Sequence, residues 1–179
     1  MALRYALLGS LADHPRTGYE LQKHFQQSLA YAWPASHSQI YPELARLLEG
    51  GLIEQTGAGA RNSKTYAVTE AGLDQVRTWL RETEPDRRVR SDAALRTFFL
   101  WLLEPAEARD QLEGERAYWQ GVLDEFLRIR GEPTGHNKKA RTFRIALEGG
   151  VQMVEARLAW LEGAIAEIRS EDWRSLPDG

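Results

Sequence analysis

Six residues between positions 36 and 46 could read a polar ligand: Ser36, His37, Ser38, Gln39, Tyr41 and Arg46. They supply hydroxyl, imidazole, amide, phenol and guanidinium groups, with the reach needed for base edges and phosphate oxygens. A second group stands beside a glycine-rich stretch, Gly57-Ala58-Gly59-Ala60, followed by Arg61, Asn62 and Lys64. Glycine allows a tight turn there, and the cations can meet phosphate or a narrow A·T minor groove. Lys23 and His24 offer further phosphate contacts. The chemistry of all these groups is recognition of a nucleic acid; the alternative for the same groups is an ordinary solvated surface.

Bond-making chemistry has little to stand on. The chain of 179 residues has no cysteine, which removes disulfides, cysteine zinc sites and thiolate nucleophiles. His14, His24, His37 and His136 are scattered, with no His-x-x-x-His spacing. Gly57 and Gly59 begin a G-x-G pattern, but Asn62 stands where the third glycine belongs, and another strand follows where a dinucleotide site needs a helix. No P-loop, nucleophile elbow or EF-hand pattern occurs. Neither a metal, a cofactor nor an enzymatic activity is expected.

A net charge of −3 argues mildly against nucleic acid. The charge is unevenly spread: residues 1–80 hold seven Lys or Arg and seven Asp or Glu, so the acidity belongs to the second half. A neutral region still presents a basic face if acids such as Asp13, Glu54 and Asp74 point elsewhere. Apolar runs fall short of the ~20 residues of a membrane span, and a cysteine-free chain fits a reducing cytoplasm. The apolar stretch before Ala12 is interrupted by Tyr5, Gly9 and Ser10, so it reads as a buried helix instead of a leader.

The elements that must position these groups follow from periodicity. Residues 2–12 read as a helix with Leu3, Leu7, Leu8 and Leu11 on one side. Thr17 and Glu20 stand at capping-box spacing before a second helix with Leu21, Phe25 and Leu29 inward. Residues 36–49 read as a third helix with Ile40, Leu44, Leu47 and Leu48 inward. Pro42 either lies in its first turn, the helix starting late, or distorts it. Gly50-Gly51 stops it. Leu52 to Gln55 and Lys64 to Val68 read as two strands joined by a turn. Thr69 caps a fourth helix with Leu73, Val76 and Leu80 inward. Three helices, a hairpin and a helix make the winged helix-turn-helix plan, whose third helix enters the major groove.

Beyond Pro85-Asp86 the segments are longer and more charged. The expected division is a winged-helix domain over 1–84 and a helical dimerisation domain over 85–179. Residues 91–103 read as one apolar helix, and Pro105 opens another with Leu112, Trp119 and Phe126 seven apart. The last helix carries Leu147, Val151, Val154, Leu158, Leu161, Ile165 and Ile168 at alternating steps of four and three. That is a heptad seam, and a partner subunit is the economical way to cover it. Phe98, Phe99, Trp101 and Trp119 are the aromatic groups that could line an effector pocket.

The combination of motifs is more specific than any one of them. Gly18-Tyr19-Glu20-Leu21, Ile40-Tyr41-Pro42-Glu43-Leu44, Leu47, Gly51-Leu52-Ile53, Tyr66 and Val68-Thr69-Glu70-Ala71-Gly72 together closely resemble the PadR family of transcriptional regulators. Residues 95–99 and the final heptads resemble the helical C-terminal region of its virulence-activator type. The resemblance implies a mainly α fold with a small β-hairpin wing, and a homodimeric repressor on a two-fold symmetric operator of double-stranded DNA. It implies that Tyr41 and its neighbours read the groove, that Lys64 belongs to the wing, and that a small aromatic effector can release the DNA. The competing expectation, motivated by the neutral first half, is a winged-helix and coiled-coil module that binds protein.

Overall fold

A computed structural model of the chain describes residues 2–27, 33–59, 63–87, 91–133, 135–170 and 173. It divides into two compact units, Met1–Arg87 and Arg88–Gly179.

The first unit runs α1 (Ala2–Leu11), β1 (Arg16–Thr17), α2 (Gly18–Gln27), α3 (His37–Glu49), β2 (Ile53–Gly59), β3 (Ser63–Val68) and α4 (Glu70–Glu82). Leucines on α1, Leu21 and Phe25 one turn apart on α2, and Ile40, Leu44 and Leu47 on α3 converge on one core with Leu52, Ile53 and Tyr66. On α1, α2 and α3 the apolar faces expected from spacing are buried or half-buried. Leu29 lies outside the described residues.

Thr17 and Glu20 close a reciprocal cap. The Thr17 N–H donates to Glu20 Oε2 at 2.7 Å, and the Glu20 N–H donates back to Thr17 Oγ1 at 3.2 Å. The same Thr17 ends a two-residue strand that periodicity did not reveal, because two residues hold no pattern. This strand makes the wing sheet three-stranded and antiparallel, in the order β1-β3-β2, with Arg16 opposite Tyr66. The register between β2 and β3 slips between Gln55 and Gly57, leaving Thr56 as the extra residue of a bulge. Pairing then continues as far as Gly59, so β2 reaches further into the glycine-rich stretch than Gln55.

Helix α3 starts at His37, and Pro42 lies inside it. Of the two alternatives the proline left open, the late start is not the one realised. A proline at this depth removes one hydrogen bond and costs about 3 kcal/mol; the buried row Ile40, Leu44 and Leu47 holds the helix through it. At the other end the Leu52 N–H donates to the Leu47 carbonyl at 2.9 Å, and the Gly51 N–H to that of Leu48 at 3.1 Å. Gly51 takes a φ of 67°, the left-handed conformation this type of helix stop requires. On α4, Leu80 is exposed instead of inward. Trp79 takes the inward place, stacked on Tyr5 at 4.8 Å with the rings 5° from parallel.

The second unit holds α5 (Asp92–Thr97), a 3-10 turn (Leu100–Leu102), α6 (Pro105–Gly131) and α7 (Lys138–Arg169). Residues 91–103 are thus not one helix. The chain leaves helical pairing at Phe98 and Phe99, then buries Leu100 against α6 and α7. Helices α6 and α7 enclose two clusters, one around Val122, Leu123 and Phe126, the other around Ala108 and Leu112. Every residue of the expected heptad seam is buried in these clusters. Within the subunit α6 packs against this seam, which the spacing alone left to a partner subunit. Two helices on either side of a turn supply enough apolar surface to close it.

Candidate nucleic-acid interface

Capping decides what the start of α3 can offer. The Ser36 N–H donates to Gln39 Oε1 at 2.9 Å, and the Ser36 hydroxyl lies 3.0 Å from the same oxygen and 2.9 Å from that of Ser38. The Gln39 amide oxygen is thereby engaged, and its NH2 group remains. Tyr41 is also partly committed. Its ring stacks on His37 with centroids 4.1 Å apart. It also lies over Gly18 so closely that a Cβ there would come within 2.8 Å of Cε1. Only glycine at position 18 leaves the ring its place. Burial, and secondarily the nearby Tyr41, push the Tyr66 phenol above its ordinary value, which places the two phenols in one neighbourhood.

With Ile40, Leu44 and Leu47 inward, the opposite ridge of α3 is Ser38, Pro42, Ala45 and Glu49, all exposed. His37 and Tyr41 flank it on one side, Gln39 and Arg46 on the other. Sequence reasoning selected Ser38 from this ridge but took Pro42 only as a disturbance and passed over Ala45. The 3.6-residue period opposite the buried row was the signal that could have found both. The Arg46 Nη1 meets Glu43 at 2.6 Å, and Glu43 also faces Arg4 at 3.8 Å, so this guanidinium is paired along its own helix.

The other cations stand apart from α3. Lys23 is exposed on α2, and Lys64 is exposed on β3 opposite Ala58, near the far end of the hairpin. Neither has an ion pair among the described residues. His24 is half-buried. Arg61 and Asn62 lie outside the described residues. Of the acids, Asp13 bonds Arg16 at 3.2 Å and Asp74 bonds Arg77 at 2.7 Å. Glu20 turns inward to its cap, and that backbone hydrogen bond holds its carboxyl below the ordinary value. Two of these acids are therefore paired with arginine, Glu20 remains an anion held in its cap, and Lys23 and Lys64 have no ion pair among the described residues.

The second unit presents two surfaces. The solvent side of α7 carries Ala146, Gly149, Met153, Ala156, Trp160 and Gly163, spaced alternately three and four apart and all exposed. This is a second heptad row, uncharged throughout, on the opposite side from the buried seam. Gly149 and Gly163 have open space where a Cβ would stand, so nothing among the described residues requires glycine there. The other surface is a pocket of about 380 Å³ among α5, α6 and α7, lined by Phe98, Leu100, Arg96, Arg157 and Trp160 among others. Of Phe98, Phe99, Trp101 and Trp119, Phe98 lines this pocket. Phe99 and Trp101 are exposed elsewhere. Trp119 packs within the clusters between α6 and α7, beneath the Arg157 guanidinium at 4.8 Å.

Comparison with known proteins gives these surfaces a context. Residues 7–78 match the family model for PadR-like transcriptional regulators, and residues 89–169 match that for the virulence activator alpha C-terminal region. The chain is 29% identical to the negative transcriptional regulator PadR of Bacillus subtilis over 176 residues, which cover 93% of this chain and 97% of that one. The crystal structure of that regulator with operator DNA superposes with a TM-score of 0.82, at 27% identity, over 94% of this chain and 99% of that one. Its complex with p-coumaric acid superposes at 0.78, with 26% identity, over 95% and 100%. No helix among the described residues is long and apolar enough to cross a membrane.

Proposed function

The chain belongs to the PadR-like family of transcriptional regulators, and from that premise we propose that it is a homodimeric, cytoplasmic repressor without enzymatic activity. Its domains meet near residue 84, and its operator is palindromic. The observation that carries the reading is the winged-helix unit's outward face: the polar start of α3 with free lysines on α2 and the wing, while Asp13, Glu20 and Glu43 are held in ion pairs or a cap and Glu49 stays exposed at the far end of α3. Ser36, His37, Ser38, Gln39 and Tyr41 approach the major groove. Lys23, Lys64, Arg61 and Asn62 hold phosphates or the neighbouring minor groove.

The dimer rests on the outward row of α7, since the first seam is taken up by α6. From Gly149 to Gly163 small and large residues alternate along this row. In an antiparallel pair, Trp160 meets the partner's Gly149, Met153 meets the partner's Ala156, and Ala146 meets the partner's Gly163. Each layer then matches a large group with a small one, or two small ones, and both helices satisfy the same register. A parallel pair would set Trp160 on the partner's Trp160 and Gly149 on the partner's Gly149, alternating crowded and empty layers. Glycine inside a helix costs about 1 kcal/mol relative to alanine; close approach of a second backbone is the reason to keep it. The pocket beside Phe98 and Trp160 is sized for an aromatic acid of the p-coumaric kind, with Arg157 to meet its carboxylate, since Arg96 is bonded to Asp92 at 2.7 Å.

In vitro selection of bound duplexes with the full chain tests the reading. Enrichment of a palindrome is expected, with affinity falling steeply as salt rises. Lys64→Ala should weaken binding to all sequences alike and flatten the salt slope by about 1. A selection that enriches nothing, with a protein partner binding the same face, would favour an interaction module instead.

A further inference from the structure

Resting on this DNA-binding reading, we propose that α3 selects its operator through thymine methyl groups, which pack on Pro42 and Ala45, and not through charged hydrogen bonds to guanine. The part of a recognition helix that comes deepest into the groove is the ridge opposite its buried row. Here that ridge is Ser38, Pro42, Ala45 and Glu49. It carries no lysine or arginine. Guanine is read most often by a cation bridging O6 and N7, and the one arginine of this helix, Arg46, stands on the flank, bonded to Glu43.

What the ridge does carry is small and apolar. The Pro42 ring and the Ala45 methyl are exposed three positions apart, about one turn or ~5 Å along the axis. Pro42 lies exposed inside this helix, where a proline disrupts pairing. An exposed ring pressed against a base edge accounts for it. Thymine is the base whose major-groove edge offers a methyl to such a surface.

The ends of the ridge fix how the helix is seated. At its head, the Ser38 carbonyl lacks the amide donor that residue 42 would give it, because proline has no N–H. An exocyclic amine, as on adenine, can take that place. At its foot, the Glu49 carboxylate is repelled by phosphate, so the first turns of α3 enter the groove and the last turn lifts away. The half-site is therefore centred on A·T pairs, with thymines placed to meet Pro42 and Ala45.

The test uses the duplex obtained by selection with the full chain, each thymine replaced singly by deoxyuridine. Uracil keeps the pairing and the O4 acceptor and loses only the methyl. Affinity is expected to fall about 3- to 10-fold at one or two positions in each half-site, as burial of one methyl implies. Ala45→Gly should make thymine and uracil equivalent at one of these positions, and Pro42→Ala at the other. Both variants are read as thymine-to-uracil ratios, which a uniform change in stability does not move. Ratios within 1.5-fold of unity at every thymine would overturn the proposal while leaving DNA binding intact, as would loss of binding confined to 7-deazaguanine replacements. Failure to obtain any bound duplex overturns both this inference and the reading beneath it.

Discussion

In the N-terminal unit Leu7, Leu8, Leu21, Phe25, Ile40 and Leu47 have no exposed surface. In the C-terminal unit Leu123, Phe126, Leu147 and Leu158, all at its centre, keep 8–9%. The exposed large apolar groups divide the same way: Tyr19, Trp33, Tyr41 and Leu80 in the first unit, but Leu95, Phe98, Phe99, Trp101, Leu102, Leu103, Ile145, Met153, Trp160 and others in the second. A winged helix of this size closes its core by itself. A pair of long helices has two faces for every one it buries, and one chain leaves the second face open. The first unit leaves a largely polar surface open, the second a largely apolar one.

The sharpest way to break that comparison uses two substitutions two residues apart on α7. Leu158→Glu buries an unpaired carboxylate among Val122, Leu123 and Phe126 and should cost several kcal/mol. Loss of the C-terminal unit's cooperative melting is expected, with the N-terminal unit still folded. Trp160→Glu changes the opposite side of the helix. It should keep full helicity and sediment as a folded monomer, with DNA affinity at the operator reduced by loss of the second head. If Trp160→Glu remains a tight dimer, the outward row is not the interface.

Gly149→Leu tests the same surface with a smaller, steric change. A leucine there has open space within the subunit and gains helix propensity, so the unit should melt no lower than wild type. Across an antiparallel pair it meets the partner's Trp160, and dimer affinity should fall by about tenfold or more, because overpacking costs about 1–3 kcal/mol. The pairing of unchanged stability with weakened association separates an interface glycine from a structural one. Equal dimer affinity in sedimentation would point to another orientation of the helices.

What was legible in the sequence follows the same division. Every buried leucine row of the winged helix could be read from its spacing, because a single amphipathic face has one explanation. On α7 the spacing picked out the seven buried residues but not that α6 packs on them within the subunit, since a heptad is indifferent to whether its partner is the same chain or another. The second row on that helix escaped notice because glycine and alanine carry no hydrophobic signal, although Gly149, Ala156 and Gly163 are spaced as regularly as any leucines. At the interface, residue type located the polar group but not its division of labour. Ser36 and Gln39 cap α3, and Tyr41 packs on Gly18, by contacts among groups that a linear reading treats as equally free. The two-residue strand β1 and the break at Phe98 are set by pairing and packing partners far along the chain.

The smallest effect concerns how each unit starts a helix. Helix α2 opens on Glu20, whose carboxylate accepts from the Thr17 N–H and hydroxyl at 2.7 and 2.9 Å, whereas α7 opens on the uncharged Asn137, whose Oδ1 accepts from Ala140. The Thr17 backbone hydrogen bond is the main cause holding Glu20 below its ordinary value near 4.5. A carboxyl with a depressed folded value contributes stability that is full above the ordinary value and is lost as pH falls through the folded one. The α2 start should therefore loosen on acidification, while the α7 start, lacking a titratable cap, should hold. Hydrogen exchange of the first-turn amides of α2, followed from pH 6 downward, should show protection falling in wild type and flat in Glu20→Gln. Thr17→Ala should lower protection at every pH by about 1 kcal/mol, the usual value of an N-cap. Parallel pH profiles for α2 and α7 in the wild-type chain would show that Glu20 contributes nothing as an ion.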